Sequence, residues 1–143
     1  SRIGQSSSSS DWFEVTQDRI NGFADVTMDH QWIHVDVERA KSGPFSEPIA
    51  HGHLTLSIMG HLPKTESVPG PKLEGQKLSI NYGFDKVRFP SPVPVGAKIR
   101  ATSTLKRAEI KGGMIETMNE IVVEVPGQDK PAVLAESLGR LVF

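Results

Sequence analysis

No cysteine occurs among the 143 residues. That absence excludes disulfides, a thiol nucleophile and the thiolate zinc sites that cysteine spacing would advertise. Neither sign of charge is in excess: the formal net charge is −1, and lysine and arginine are scattered rather than clustered. The chain therefore has no electrostatic footprint for nucleic acid or for an anionic membrane surface. Long apolar runs are missing as well. The stretch least interrupted by charge, PIAHGHLTLSIMGHLP at 48–63, contains three histidines and is shorter than the roughly 20 apolar residues of a membrane span. No charged segment followed by an apolar one opens the chain, so no secretory signal is read. The expectation is a cytoplasmic protein that engages neither nucleic acid nor membrane.

What remains is ordinary globular material, with 37% hydrophobic and 23% charged residues, and the length favours one domain with one core. Residues 1–10 end in a serine run with nothing to bury, which predicts a flexible lead-in; residues 11–143 form the single domain. DWFEVT reads as a short strand. Thr16 is placed to cap a helix through Thr27, with Asp18 in its first turn and Ile20, Phe23, Ala24 and Thr27 on one face. DVERAKSG reads as a second short helix, stopped by Gly43 and Pro44. From Gly52, apolar residues surround the axis up to Pro63, which predicts a helix buried on most sides.

The period then changes. Leu78, Ile80, Tyr82 and Phe84 alternate, and Val87 and Phe89 continue with shifted parity, which predicts a bulge near Asp85–Lys86. Ile99 to Leu105, Ile115 to Val125 and Ala132 to Phe143 supply further strands, separated by turn chemistry at KGG and PGQDKP. Helices first and a strand meander after them is the α+β pattern. One buried helix and a curved antiparallel sheet imply a hot-dog fold, the sheet wrapping the helix.

Polar side chains gather in VTMDHQWIH at 26–34. Asp29 and His34, five positions apart just past a helix end, can converge on one water and exchange protons with it; the alternative is a capping aspartate and a packed histidine. AHGH at 50–53 opens the buried helix. Gly52 there either lets a ligand approach a backbone N–H that has no partner in the helix, or simply permits a tight turn. His51 and His53 could join Asp29, His30 and His34 around a divalent ion, but neighbours two apart on a helix diverge, so no metal is expected. Lys86, Arg88, Lys98 and Arg100 could meet a phosphorylated carrier or form a solvated sheet face.

FADVTMDHQWIHVD followed by GPFSEPIAHGHLTLSI resembles the MaoC-like, (R)-specific enoyl-CoA hydratase superfamily, its NodN-like branch above all. INYGFDKVRFPSPVPVGAKIRATSTL and ESLGRLVF extend the resemblance over nearly the whole chain. It implies a hot-dog homodimer and no metal or other cofactor. Asp29 and His34 match the catalytic pair, and Gly52 the glycine whose N–H faces the thioester carbonyl. His51, Trp32, Ser57, Tyr82 and Arg88 are the expected substrate neighbours. The implied substrate is a thioester on coenzyme A or acyl carrier protein; the implied reaction is hydration of a trans-2-enoyl thioester to the (R)-3-hydroxyacyl form, or its reverse. The sequence departs from the pattern twice: Met28 stands where glycine is usual, and Gly60 where hydratases often carry a serine, with Ser57 and Thr55 as substitutes. Two other readings are a hot-dog thioesterase, disfavoured because no acidic residue lies between Glu47 and Glu66, and an acyl-thioester-binding protein without turnover.

Overall fold

The computed structural model describes residues 3–4, 6–65 and 73–143. Its elements are β1 (Ser6–Ser9), β2 (Phe13–Glu14), α1 (Gln17–Thr27), α2 (Trp32–Val35), α3 (Val37–Lys41), α4 (Gly52–Ile58), β3 (Leu78–Arg88), β4 (Lys98–Lys111), β5 (Met114–Glu124) and β6 (Val133–Val142). The strands form one antiparallel sheet in the order β1-β4-β5-β6-β3, with β2 also paired to β4. Leu54 and Met59 of the α4 region pack with Ile99, Ala101, Val123, Val133 and Ala135 of the sheet, and Val15 and Ile20 close the same core. This is the hot-dog arrangement that the residue pattern predicts.

Local chemistry accounts for the boundaries. The Thr16 hydroxyl accepts the Arg19 N–H at the start of α1, and the Asp36 carboxylate accepts the Arg39 N–H at the start of α3. Gly112 and Gly113 both have positive φ and form the two-residue connection between β4 and β5, a role that side-chain-free residues fill without strain. The β3 register slips between Phe84 and Lys86, as the parity change predicts, and again between Asn81 and Gly83. Glu116, buried in β5, accepts from Arg140 at 2.7 Å and from Lys111 at 3.3 Å. Burial alone would raise its pKa, but these cations hold the carboxyl below its usual value.

Four expectations change. The serine run is not a free lead-in: Ser6–Ser9 pairs with β4, because a sheet edge satisfies backbone groups without needing apolar side chains. A short helix, α2, carries His34, where the residue pattern marked no helix. Helix α4 stops at Ile58 rather than running on to Leu62, with Gly60 following, a residue poorly suited to helix interiors. It also leaves His53 and Ser57 exposed, so its burial is one-sided. Strand β4 runs beyond Leu105 to Lys111, past a register slip at Leu105–Arg107 that moves the apolar alternation onto Ala108 and Ile110.

Candidate active site

Helix α1 ends at Met28, whose φ of 66° and ψ of 13° lie in the left-handed region. That turn delivers Asp29 away from the helix axis. The Asp29 carboxylate accepts the Gln31 N–H at 3.3 Å, and α2 follows at once, carrying His34 inward. His34 is fixed at both its backbone and its ring. The Gln17 side-chain amide donates to the His34 carbonyl at 2.8 Å, and the His34 Nδ1–H donates to the Ile49 carbonyl at 2.6 Å. A carbonyl only accepts, so in the neutral ring Nδ1 holds the proton and Nε2 is left with a lone pair.

His51, just before α4, completes the cluster. Its Nε2–H donates to the Asp29 carbonyl at 2.9 Å, its ring stacks on His34 with centroids 3.9 Å apart, and Phe23 packs edge-on at 4.9 Å. One side-chain nitrogen or oxygen from each of Asp29, His34 and His51 falls within 4.8 Å of the others. His34 and His51 are 7% and 2% exposed, whereas Asp29 is open to solvent, so the cluster has one wet end. Burial lowers the His51 pKa, and the neighbouring His34 adds to that; the Asp29 carbonyl opposes it only in part. His51 is therefore a neutral ring that holds the Asp29 backbone.

The three groups lie close enough to suggest a metal site, but their orientation does not suit one. Planes 23° from parallel send the imidazole lone pairs alongside each other rather than towards one point, and Nδ1 of His34 and Nε2 of His51 already serve carbonyls. His53 leans on Phe89 at 5.6 Å and is exposed, so the H-x-H pair diverges.

Beside His34 lies a cavity of about 330 Å³, whose wall includes Gly52, Thr55, Phe45, Phe89 and Val93. It is apolar apart from a few groups, the usual character of a small-molecule site. Gly52 has a structural reason to lack a side chain: a Cβ there would sit 2.8 Å from the Phe89 ring. A second cavity of about 440 Å³ lies between α4 and β3, and Ser57, Tyr82, Gly60, Met59 and Ser137 line it.

The expected residues thus separate. Asp29, His34 and His51 form one cluster, His34 shares the smaller cavity with Gly52 while Asp29 lies outside its wall, and Ser57 and Tyr82 share the second cavity. Trp32 lines neither: Arg39 stacks 4.3 Å above its ring and Gly43 lies against it, so it packs α2 onto α3. Arg88 folds back to donate to the Val87 carbonyl at 2.7 Å and also lines neither cavity. His51 acts on Asp29 rather than on the cavity wall. Gln17, the Ile49 carbonyl and Phe89 are contributors that no local pattern marks, because each reaches the site only through the tertiary fold.

The family model described as the MaoC like domain matches residues 1–125. The chain is 49% identical over 142 residues to 3-hydroxyacyl-thioester dehydratase Z of Mycobacterium tuberculosis, covering 99% of this chain and 89% of that one. It is 42% identical over 145 residues to nodulation protein N of Rhizobium leguminosarum, covering 100% and 88%. Among solved structures, an Archaeoglobus monoamine oxidase regulatory protein superposes with a TM-score of 0.82 at 25% identity, covering 99% and 90%. An (R)-hydratase from A. caviae does so with a TM-score of 0.71 at 24% identity, covering 98% and 96%.

Proposed function

The chain belongs to the MaoC-like dehydratase family, and we infer that it is a hydro-lyase of acyl thioesters that uses Asp29 and His34 on a single water. The observation that carries this reading is the state of His34. Its Nδ1 proton is committed to the Ile49 carbonyl, its Nε2 is free to exchange a proton, and the Asp29 carboxylate stands in the same cluster. Two proton-exchanging groups around one water are what hydration of an activated double bond requires.

In the hydration direction, the oxygen of water bonds to C3 of a trans-2-enoyl thioester. One member of the pair takes the water proton, and a proton reaches C2. The electron pair of the double bond moves through the thioester, whose carbonyl oxygen becomes enolate-like before C2 is protonated. The Gly52 N–H, first of its helix and without an acceptor there, donates to that oxygen. A donor of this kind contributes on the order of 3 kcal/mol to the transition state. Dehydration is the same path reversed. No electrons leave the substrate, so no redox cofactor is called for, and the two side chains supply the acid–base chemistry without a metal.

The likeness to an (R)-hydratase supports the (R)-3-hydroxyacyl product, and coenzyme A is the carrier this reading adopts, with an acyl carrier protein as the second candidate. Met28 does not obstruct the water: its side chain is 83% exposed. Helix α4 carries no carboxylate, which counts against thioester hydrolysis. The reading includes a homodimer. Edge strand β3 presents Leu78, Ile80, Tyr82 and Phe84 half-exposed, and among the described residues no strand pairs with its outer side. Among the described residues no helix is long and apolar enough to cross a membrane.

The test is the ultraviolet absorbance of crotonyl-CoA with added protein. Loss of the enoyl band, with (R)-3-hydroxybutyryl-CoA as product and no free thiol, supports the reading. No turnover of short or long enoyl chains would overturn it, and release of thiol would replace it with thioester hydrolysis.

A further inference from the structure

The Thr55 residue is 1% exposed, and its hydroxyl has no hydrogen-bond partner among the described residues. A threonine inside a helix ordinarily turns its hydroxyl to the carbonyl four residues back. Here that carbonyl belongs to His51, and it already receives the N–H groups of Leu54 at 3.0 Å and of Thr55 at 3.3 Å. A buried orphan hydroxyl is costly, and valine would fill the same volume without it. The hydroxyl therefore calls for a role that packing does not supply.

Its position suggests one. Thr55 lines the same cavity of about 330 Å³ as His34 and Gly52. It follows Gly52 by three residues on α4, so the two are neighbours on the helix surface. Side chains on a helix lean towards its N-terminus, which carries the hydroxyl over the turn that begins at Gly52. Phe45, Ile49, Phe89 and Val93 make most of the wall apolar, and besides Thr55 only His34 and Ser91 bring a side chain with a polar hydrogen to it.

We propose that the Thr55 hydroxyl is a catalytic residue, a second donor that joins the Gly52 N–H on the carbonyl oxygen of the bound thioester. The assignment rests on the thioester reading above. It gives the oxygen two donors when it becomes enolate-like, and it explains why a hydroxyl is kept in an apolar wall. Gly60, where related hydratases often carry serine, lies beside the other cavity, so Thr55 would act on the substrate carbonyl and not in place of that serine.

The experiment compares wild type, Thr55→Val, Thr55→Ser and Thr55→Ala in steady-state hydration of crotonyl-CoA, with thermal unfolding of each and calorimetric titration with butyryl-CoA. Thr55→Val should lower kcat by about 10- to 100-fold, somewhat less than a single rigid oxyanion donor, with KM nearly unchanged and a Tm equal to or above wild type. Thr55→Ser, which keeps the hydroxyl, should recover most of the rate, whereas Thr55→Ala should not. Equal rates for Thr55→Val and wild type overturn the assignment while leaving the thioester reading intact. If Thr55→Val fails to fold, the remaining pair decides: Thr55→Ser as slow as Thr55→Ala overturns the proposal, and a fast Thr55→Ser beside a slow, folded Thr55→Ala upholds it. A wild type that neither hydrates crotonyl-CoA nor binds butyryl-CoA removes the thioester reading and the Thr55 assignment together.

Discussion

The rings of His34 and His51 stack 3.9 Å apart while one donates to the Ile49 carbonyl and the other to the Asp29 carbonyl. The stack couples the His34 ring to the backbone of Asp29 through His51. A cation on His51 would sit buried against His34 and near Asp29, whose carboxylate is too exposed to compensate for its lost hydration.

That arrangement gives a pH dependence of stability. The His51 pKa is lowered in the folded state, so the unfolded chain binds the extra proton first as pH falls. The corresponding stability is fully present above the ordinary histidine value of about 6.5 and is lost as pH drops from there through the folded value. Urea midpoints at pH 7.5 and 5.5 should show a larger fall for wild type than for His51→Gln, which keeps a donor for the Asp29 carbonyl but cannot charge. Equal falls would mean that His51 does not report this burial.

Met28 occupies the left-handed region with its side chain in solvent. Glycine removes strain of about 1–2 kcal/mol there but brings an unfolded-state entropy cost of about 0.5–1 kcal/mol. Met28→Gly should therefore be at least as stable as wild type and keep its rate within about twofold. Met28→Val, β-branched at positive φ, should lose at least about 1 kcal/mol. Denaturant titration and initial rates check both; a large loss of rate in Met28→Gly would show that the methionine itself takes part.

Gly52 and Phe89 are coupled by contact, since a Cβ on the first would overlap the ring of the second. Gly52→Ala should destabilise by about 1–3 kcal/mol, the usual cost of overpacking. In a Phe89→Ala background the same change should cost less than about 1 kcal/mol. A double-mutant cycle with no interaction energy would place the ring elsewhere in solution.

The β3 edge tests assembly. Light scattering should give twice the chain mass for wild type, and Ile80→Lys should shift the population to single chains, because a charge on a half-exposed apolar edge blocks strand pairing. A monomeric wild type would remove the dimer from the account.

How much of this could be read in the residues follows from the range of the interactions. That Asp29 and His34 could meet was legible because both follow closely on the end of α1, and the left-handed turn at Met28 and helix α2 bring their side chains into one cluster. The strands of the meander were legible from alternation, except where a slip such as that at Leu105–Arg107 reset the parity and hid the end of β4. The serine run misled because pairing with β4 uses its backbone, which composition does not describe. Trp32 and Arg88 were drawn to the substrate by residue type, yet the structure gives one an Arg39 partner and turns the other back on its own strand. Gln17, Ile49 and Phe89 carry no local signal, for their contacts with His34 and Gly52 span 15 to 37 residues of chain.

The most direct measurement is the hydration rate of crotonyl-CoA by wild type, Asp29→Asn, His34→Gln and the double variant, with unfolding curves for each. The account predicts that each single change lowers kcat by about 10²- to 10⁴-fold in a folded protein. It also predicts that the double variant is little slower than the slower single one, since the pair works as a unit on one water. A folded single variant that keeps its rate within about tenfold of wild type would contradict the claim that Asp29 and His34 perform the chemistry together.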